Sequence, residues 1–302
     1  MAFNFHVMKH LIPISGGKDS QATAIWYAQN VLSDDVPVEL IFCDTGNEAP
    51  ITYEFIHKIL IPAFPAAMQN LIVLKNKHGE TLLEQAARKG RFPSKTHRFC
   101  TAELKVEPMI DYILEQNQDV VIYDGRRRQE SPERSTLPQR DDFFDEYAEA
   151  TGKDRLYKKR AVLAWMKQYQ AGVFRPVLHF SAKEIFEFIS QAGHRRNPLY
   201  DAGFNRVGCF PCILCSLGEI ARVADNNPSK IDEIRKVEQE AGTTFFGPDK
   251  IPVRFCANQI VNKKGKLVGT PTIDEVINYA NNRRHDDGLF RGTCQNRYVV
   301  CE

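Results

Sequence analysis

Four short apolar runs set the fold class of this chain. Residues 10–14, Val38-Glu39-Leu40-Ile41-Phe42, Leu71-Ile72-Val73-Leu74 and Asp119-Val120-Val121-Ile122-Tyr123 have the length and composition of strands, and amphipathic helix-length segments near 21–32, 50–61 and 103–116 separate them. Such alternation predicts right-handed βαβ units and an α/β fold with a doubly wound parallel sheet, whose ligand site lies beyond the carboxyl ends of the strands. Residues 129–160 are strongly charged and weakly patterned, and read as a mobile excursion or lid. From about residue 218 the pattern predicts a helix over 219–240, β-like stretches at Val253-Arg254-Phe255 and Lys266-Leu267-Val268, and a last helix over 273–284.

With 302 residues, 43% of them hydrophobic, the chain can bury a core as one large domain or one domain with a smaller appendage. Forty basic residues against 38 acidic ones leave a net charge of +2, so any contact with nucleic acid must come from local patches. No secretory leader is recognisable, and no apolar run reaches the roughly 18 residues of a membrane span, which predicts a cytoplasmic protein without membrane contact. In that setting eight cysteines read as thiols, metal ligands or catalytic groups.

The turn after the first strand is Ser15-Gly16-Gly17-Lys18-Asp19-Ser20, directly before a helix-like segment. Backbone N–H groups and the positive end of a helix dipole favour an anion there. Gly16 and Gly17 let phosphate oxygens approach the backbone, and Lys18, Ser15 and Ser20 add donors. The spacing is not that of the Walker loop. The second strand ends in Asp44-Thr45-Gly46-Asn47-Glu48, where carboxylates can hold Mg²⁺ against phosphates or accept from ribose hydroxyls. The fourth strand runs into Asp124-Gly125-Arg126-Arg127-Arg128-Gln129-Glu130-Ser131-Pro132-Glu133-Arg134, and arginine forks suit phosphate or sulfate oxygens. Cys209, Cys212 and Cys215 recur every third residue in a turn bounded by Gly208 and Pro211. That spacing serves an iron–sulfur cluster or, alternatively, structural zinc.

These strings carry a family resemblance. The loop SGGKDS resembles the pyrophosphate loop of the adenine nucleotide α-hydrolase superfamily, whose members split ATP between its α and β phosphates. The strand-Asp-Thr-Gly string, the segment from Arg98 to Pro108 with Cys100 and Lys105, and the Arg126, Ser131, Arg134 stretch resemble motifs of the phosphoadenosine phosphosulfate reductase branch. The segment from Asn197 to Cys215 resembles the iron–sulfur members of that branch, which hold a 4Fe-4S cluster on a Cys-Cys pair plus Cys-x-x-Cys. Cys100 falls where the second Cys of the pair would be, but Phe99 replaces the first. The resemblance therefore implies Cys100, Cys209, Cys212 and Cys215 as ligands, with Cys256 or Cys294 as alternates for one of them.

The resemblance spans about residues 10–216, and implies a nucleotide-binding domain over 1–217 and a smaller C-terminal α+β extension over 218–302. Reductases of the branch carry a degraded first loop and a C-terminal Glu-Cys-Gly-Leu-His; here the loop is intact and the chain ends Tyr298-Val299-Val300-Cys301-Glu302. The chain is thus similar to ATP-using relatives such as DNA phosphorothioation sulfurtransferases. What this implies is ATP held by Ser15 to Ser20, Asp44, Thr45, Gly46, Arg126, Ser131 and Arg134, Mg²⁺ near Asp44, catalytic roles for Lys18, Asp44, Lys105 and Arg126, a nucleic-acid or nucleotide acceptor, and a sulfur donor such as a cysteine desulfurase. Self-association into a homo-oligomer is left open. Two other readings stay open: a reductase of adenylylated sulfate with Cys294 or Cys301 as nucleophile, and a non-catalytic nucleic-acid-binding or complex subunit.

Overall fold

The computed structural model describes residues 8–152, 155–248, 250–262 and 264–286. The strands β1 (Lys9–Pro13), β2 (Val38–Cys43), β3 (Leu71–Leu74), β4 (Val120–Tyr123), β5 (Arg140–Asp142) and β6 (Ala171–Phe174) form one sheet in the order β3-β2-β1-β4-β6-β5. All neighbours run parallel except β5, which is antiparallel to β6. The α/β sheet fold expected from the apolar runs is present, with one antiparallel edge added to it. Register puts Ile12 opposite Leu40 and Leu11 opposite Glu39. Because side chains alternate across a strand, Ile12, Leu40 and Tyr123 enter a core with Ala22, Ile25 and Phe55, while Leu11, Ile41 and Ile122 enter a second core with Ile110, Ile113 and Trp165.

The helix α1 (Lys18–Asn30) follows β1, and the helices Pro50–Phe55, Leu82–Lys89 and Glu107–Glu115 follow later strands. The helix expected near 50–61 starts as α-helix and continues as π-helical Ile56–Leu60 and a 3₁₀ turn Ile61–Ala63. The expected excursion over 129–160 is instead largely built into the fold. It contains β5 and the helices Phe143–Thr151 and Lys159–Trp165, anchored by the buried Phe144, Val162 and Trp165. Asp142 caps the first of these helices through the Phe144 and Asp145 amides.

After residue 216 the single helix expected over 219–240 divides at Asn227-Pro228 into Leu217–Asn226 and Pro228–Ala241, since proline ends the run before it. Val253–Phe255, expected as β, is a 3₁₀ turn. The strands β7 (Gln259–Val261) and β8 (Leu267–Gly269) form a hairpin before the helix Ile273–Asp286. A third core joins this region to the rest: Ile220, Ile234, Phe245 and Val276 pack with Leu83, Phe92, Phe204 and Phe210. Among the described residues no helix is long and apolar enough to cross a membrane. Cys294, Cys301 and Tyr298 to Val300 lie outside the described residues.

Candidate active site

Sheet order fixes where a ligand would lie. β1 connects to β2 on one side and lies beside β4 on the other, so the strand order reverses between β1 and β4, the switch point at which doubly wound sheets hold their ligands. Gly125, after β4, shows how tightly the two loops meet. A Cβ on it would lie 3.0 Å from the Asp19 carbonyl carbon and 3.1 Å from the Ser20 nitrogen.

The first loop has the backbone of an anion cradle. Gly16 takes φ +73° and packs against Thr52 and Ile56, a conformation that suits glycine. Gly17 caps α1 without any side-chain hydrogen bond, unlike the capping boxes at Thr81, Ser181 and Ser216. The Gly17 amide donates to Ser15 Oγ at 3.3 Å, and Ser15 and Ser20 hydroxyls lie 3.2 Å apart. Lys18 is 1% exposed, and its ammonium donates to Asp19 at 3.0 Å. Burial, partly offset by Asp19 and reinforced by Arg127 and Arg206, lowers its pKa to about 8.

A strap from the cysteine-bearing segment covers this loop. The Lys18 amide donates to the Tyr200 hydroxyl at 2.9 Å, Asn197 donates to the Gly16 carbonyl at 3.2 Å, and Gln21 donates to the Arg195 carbonyl at 2.7 Å. A Cβ on Gly17 would lie 3.3 Å from the Val207 carbonyl oxygen. The strap's far end is pinned by the second loop: Glu48 and Cys209 form a β-bridge, and the Phe210 amide donates to the Asn47 carbonyl at 2.5 Å.

In that second loop the carboxylates are engaged. Asp44 accepts from the Tyr53 hydroxyl at 2.6 Å and the Gly46 amide at 2.9 Å, and pairs with Lys75 at 3.3 Å. Burial pushes its carboxyl up, but these partners together hold it below the usual range. Lys75 is exposed, so its place can pass to a divalent cation; an ionised Asp44 fits Mg²⁺. Glu48 is buried and accepts from the Thr45 hydroxyl at 2.7 Å and from Tyr53 at 3.1 Å. Gly46 at φ +63° approaches Thr81 too closely for a side chain.

The four thiols expected as ligands lie within electrostatic reach of one another through Cys212. Cys209 feels Cys212 and Cys100, while Cys100 and Cys215 each feel Cys212. Burial pushes Cys209 up to about 11 and raises Cys100 and Cys215 as well. Lys105 is raised by the Cys209 sulfur first, against burial, with Glu48 and Cys43 adding to it. Four thiols match the chemistry of a Cys₄ cluster or zinc site. Among the described residues, however, no three or more His, Cys, Asp or Glu are drawn together closely enough to hold a metal ion, so the four thiols do not form a closed set. The alternate ligand Cys256 is elsewhere, buried against Gly269.

The arginines, expected as open forks, are already engaged. Arg126 pairs with Asp124 at 2.5 Å and with both oxygens of Glu146, and the fully buried Arg175 holds the same two carboxylates. Arg127 donates to Asp19 at 2.5 Å, tying the post-β4 loop to the first loop. Arg128 donates to the Leu137 carbonyl, Arg134 pairs with Glu130, and the Ser131 hydroxyl caps the turn at Arg134.

The family of the phosphoadenosine phosphosulfate reductase domain matches residues 9–215. The chain belongs to that family. Among curated proteins the chain is similar to an adenosine 5'-phosphosulfate reductase of Geobacillus thermodenitrificans, 27% identical over 59% of this chain and 63% of that one. An uncharacterised protein of Escherichia phage 186 is 28% identical over 81% of each chain. One from Methanocaldococcus jannaschii is 31% identical over 71% of this chain but only 44% of its own length, so this chain spans less than half of that relative. The solved phosphoadenylyl-sulfate reductase of Candida auris is similar at a TM-score of 0.44 and 19% identity, over 68% of this chain and 82% of that one.

Within this phosphoadenosine phosphosulfate reductase domain, the structure adds residues to which sequence reasoning gave no role. Tyr200, Asn197 and Tyr53 organise the two loops. A signal existed for one of them: Asn197 before Pro198 is an N-cap followed by proline, and Asn197 caps that short helix through the Leu199 amide at 3.0 Å.

Proposed function

We propose that this domain belongs to a cytoplasmic ATP pyrophosphatase of the adenylating type, serving sulfur transfer to a nucleic-acid or nucleotide acceptor. One observation carries the reading: an α1 N-terminus after Gly16-Gly17 that its own N-cap residue leaves without a side-chain cap, with the Lys18 ammonium beside it, at the switch point between β1 and β4. Phosphate oxygens of ATP would bind the α1 amides and Lys18, with Mg²⁺ at Asp44. An acceptor oxygen attacks the α phosphorus, the bond to the β phosphate oxygen breaks, and pyrophosphate leaves. Lys18 and the arginines, once turned from their carboxylates, would oppose the charge that grows in the transition state. Sulfide-level sulfur, released from the persulfide of a donor such as a cysteine desulfurase by a two-electron thiol reductant, then attacks the adenylated centre, and AMP leaves.

The thiols of Cys100, Cys209, Cys212 and Cys215 would hold a 4Fe-4S cluster, or alternatively zinc; when bound, the cluster supplies an iron–sulfide centre whose potential the protein tunes. Lys105, beside Cys209, would keep that thiolate set charge-balanced. A reductase of adenylylated sulfate is the second reading, supported by the similarity to adenosine 5'-phosphosulfate reductase. Pyrophosphate release from ATP with candidate acceptors tests the first reading, and Lys18→Ala and Asp44→Ala should each abolish it. Release of sulfite from phosphoadenylylsulfate with none of pyrophosphate from ATP would select the second. Anaerobic purification should give about four irons per chain. Cys209→Ser should lose most of them and Cys43→Ser should not, because Cys43 donates to the Lys105 carbonyl inside the fold.

A further inference from the structure

Away from the two loops, a groove of about 320 Å³ opens between the turn at Lys250–Val253, the hairpin and the last helix. Three of its lining side chains are cations, Lys250, Lys266 and Arg283, and none is a carboxylate. Its rim is aromatic. Phe255 is 43% exposed and packs on Tyr279 at 4.9 Å between centroids, with Arg254 over the Phe255 ring and Arg283 over the Tyr279 ring.

The local charge is also one-sided. Among the described side chains of residues 250–283, five are basic, Lys250, Arg254, Lys264, Lys266 and Arg283, against two acids, Asp274 and Glu275. Both acids face other partners: Asp274 holds Arg235, and Glu275 accepts from the Ala257 and Thr272 amides. Cations interleaved with an exposed ring, Phe255, and a half-buried one, Tyr279, match a ligand that alternates phosphates with flat, unpaired bases. A duplex hides those base faces, and an acidic peptide has none.

We propose that this groove and its aromatic rim bind single-stranded nucleic acid. Lys250 gives the groove its relation to the rest of the site, because the same ammonium donates to the Cys215 carbonyl. A strand lying in the groove would therefore run past the cysteine turn. The surface would present the acceptor of the reaction proposed above, yet strand binding needs no ATP, so the two ideas fail separately.

Fluorescence anisotropy of the full chain with labelled oligothymidylate, in the absence of ATP, tests this. Exposed Lys266 and Arg283 both reversed, Lys266→Glu with Arg283→Glu, should weaken binding at least about tenfold and lower the salt slope by about 1.4, at roughly 0.7 per lost phosphate contact. Phe255→Ala should weaken binding by about tenfold and leave the salt slope unchanged, since stacking is uncharged. Should the double reversal lower the melting temperature, Lys266→Gln alone carries the test, with a slope change half as large. Equal affinity for a duplex of matched length, unchanged affinity in the charge variants, or equally good competition by polyglutamate would each overturn the assignment. Pyrophosphate release that persists while oligothymidylate fails to bind would sink this surface and leave the ATP reading standing.

Discussion

Burial changes the chemistry of Lys18 at the centre of the first loop. Burial brings its pKa from 10.5 to about 8, so the folded chain releases a proton that the unfolded chain still holds between those values. Stability should therefore rise with pH across that window as the burial penalty on the charged ammonium is relieved, and the penalty is present in full below pH 8. Anion binding should move the other way. A polyphosphate on the loop favours the charged form, so pyrophosphate affinity falls as pH rises through about 8, and binding near that pH takes up a proton. Calorimetry in buffers of different ionisation enthalpy measures the uptake directly. Lys18→Arg, charged throughout this range, should show none; proton uptake of equal size in that variant would assign it to another group.

At the scale of elements, the strap across the loop makes a separable prediction. The Tyr200 hydroxyl accepts the Lys18 amide at 2.9 Å, and that amide is one a phosphate would need. Tyr200→Phe should lose about 1 kcal/mol of stability, the usual net worth of one hydrogen bond, and should bind pyrophosphate more tightly because no internal acceptor has to be displaced. Weaker binding in that variant would make the hydroxyl a ligand contact. Why the loop was legible in the sequence and the strap was not follows from distance along the chain. Gly16, Gly17 and Lys18 carry their chemistry locally, whereas Tyr200 meets Lys18 across 182 residues. The four apolar strands read within about a residue of their observed bounds. β6 escaped because Gly172 shortens its apolar run, and β5 because Arg140-Asp141-Asp142 has no apolar residue at all; it forms by pairing with β6. The arginines' residue types were legible, but their engagement with Asp124, Glu146 and Asp19 depends on folds of the chain that no local pattern encodes.

On the scale of the whole molecule, the question is whether the segment after residue 217 folds with the sheet or beside it. Ile234, Phe246 and Val276 are fully buried in the same core as Phe204 and Phe210, and Phe210 is tied through its amide to Asn47 in the loop after β2. Packing thus runs without a break from the last helices through the thiol turn to the sheet. Ile234→Ala should cost about 2–5 kcal/mol through lost burial and the cavity it leaves. The two tryptophans, Trp26 and Trp165, pack in or against the two sheet cores and not in this third one, so their fluorescence reports on a region the substitution does not touch. If the chain is one cooperative unit, urea unfolding followed by tryptophan fluorescence and by far-ultraviolet dichroism should shift together in Ile234→Ala, with coincident midpoints. A dichroism transition that moves to lower urea while the tryptophan transition stays in place would show the C-terminal region unfolding by itself, and would make residue 217 a true domain boundary.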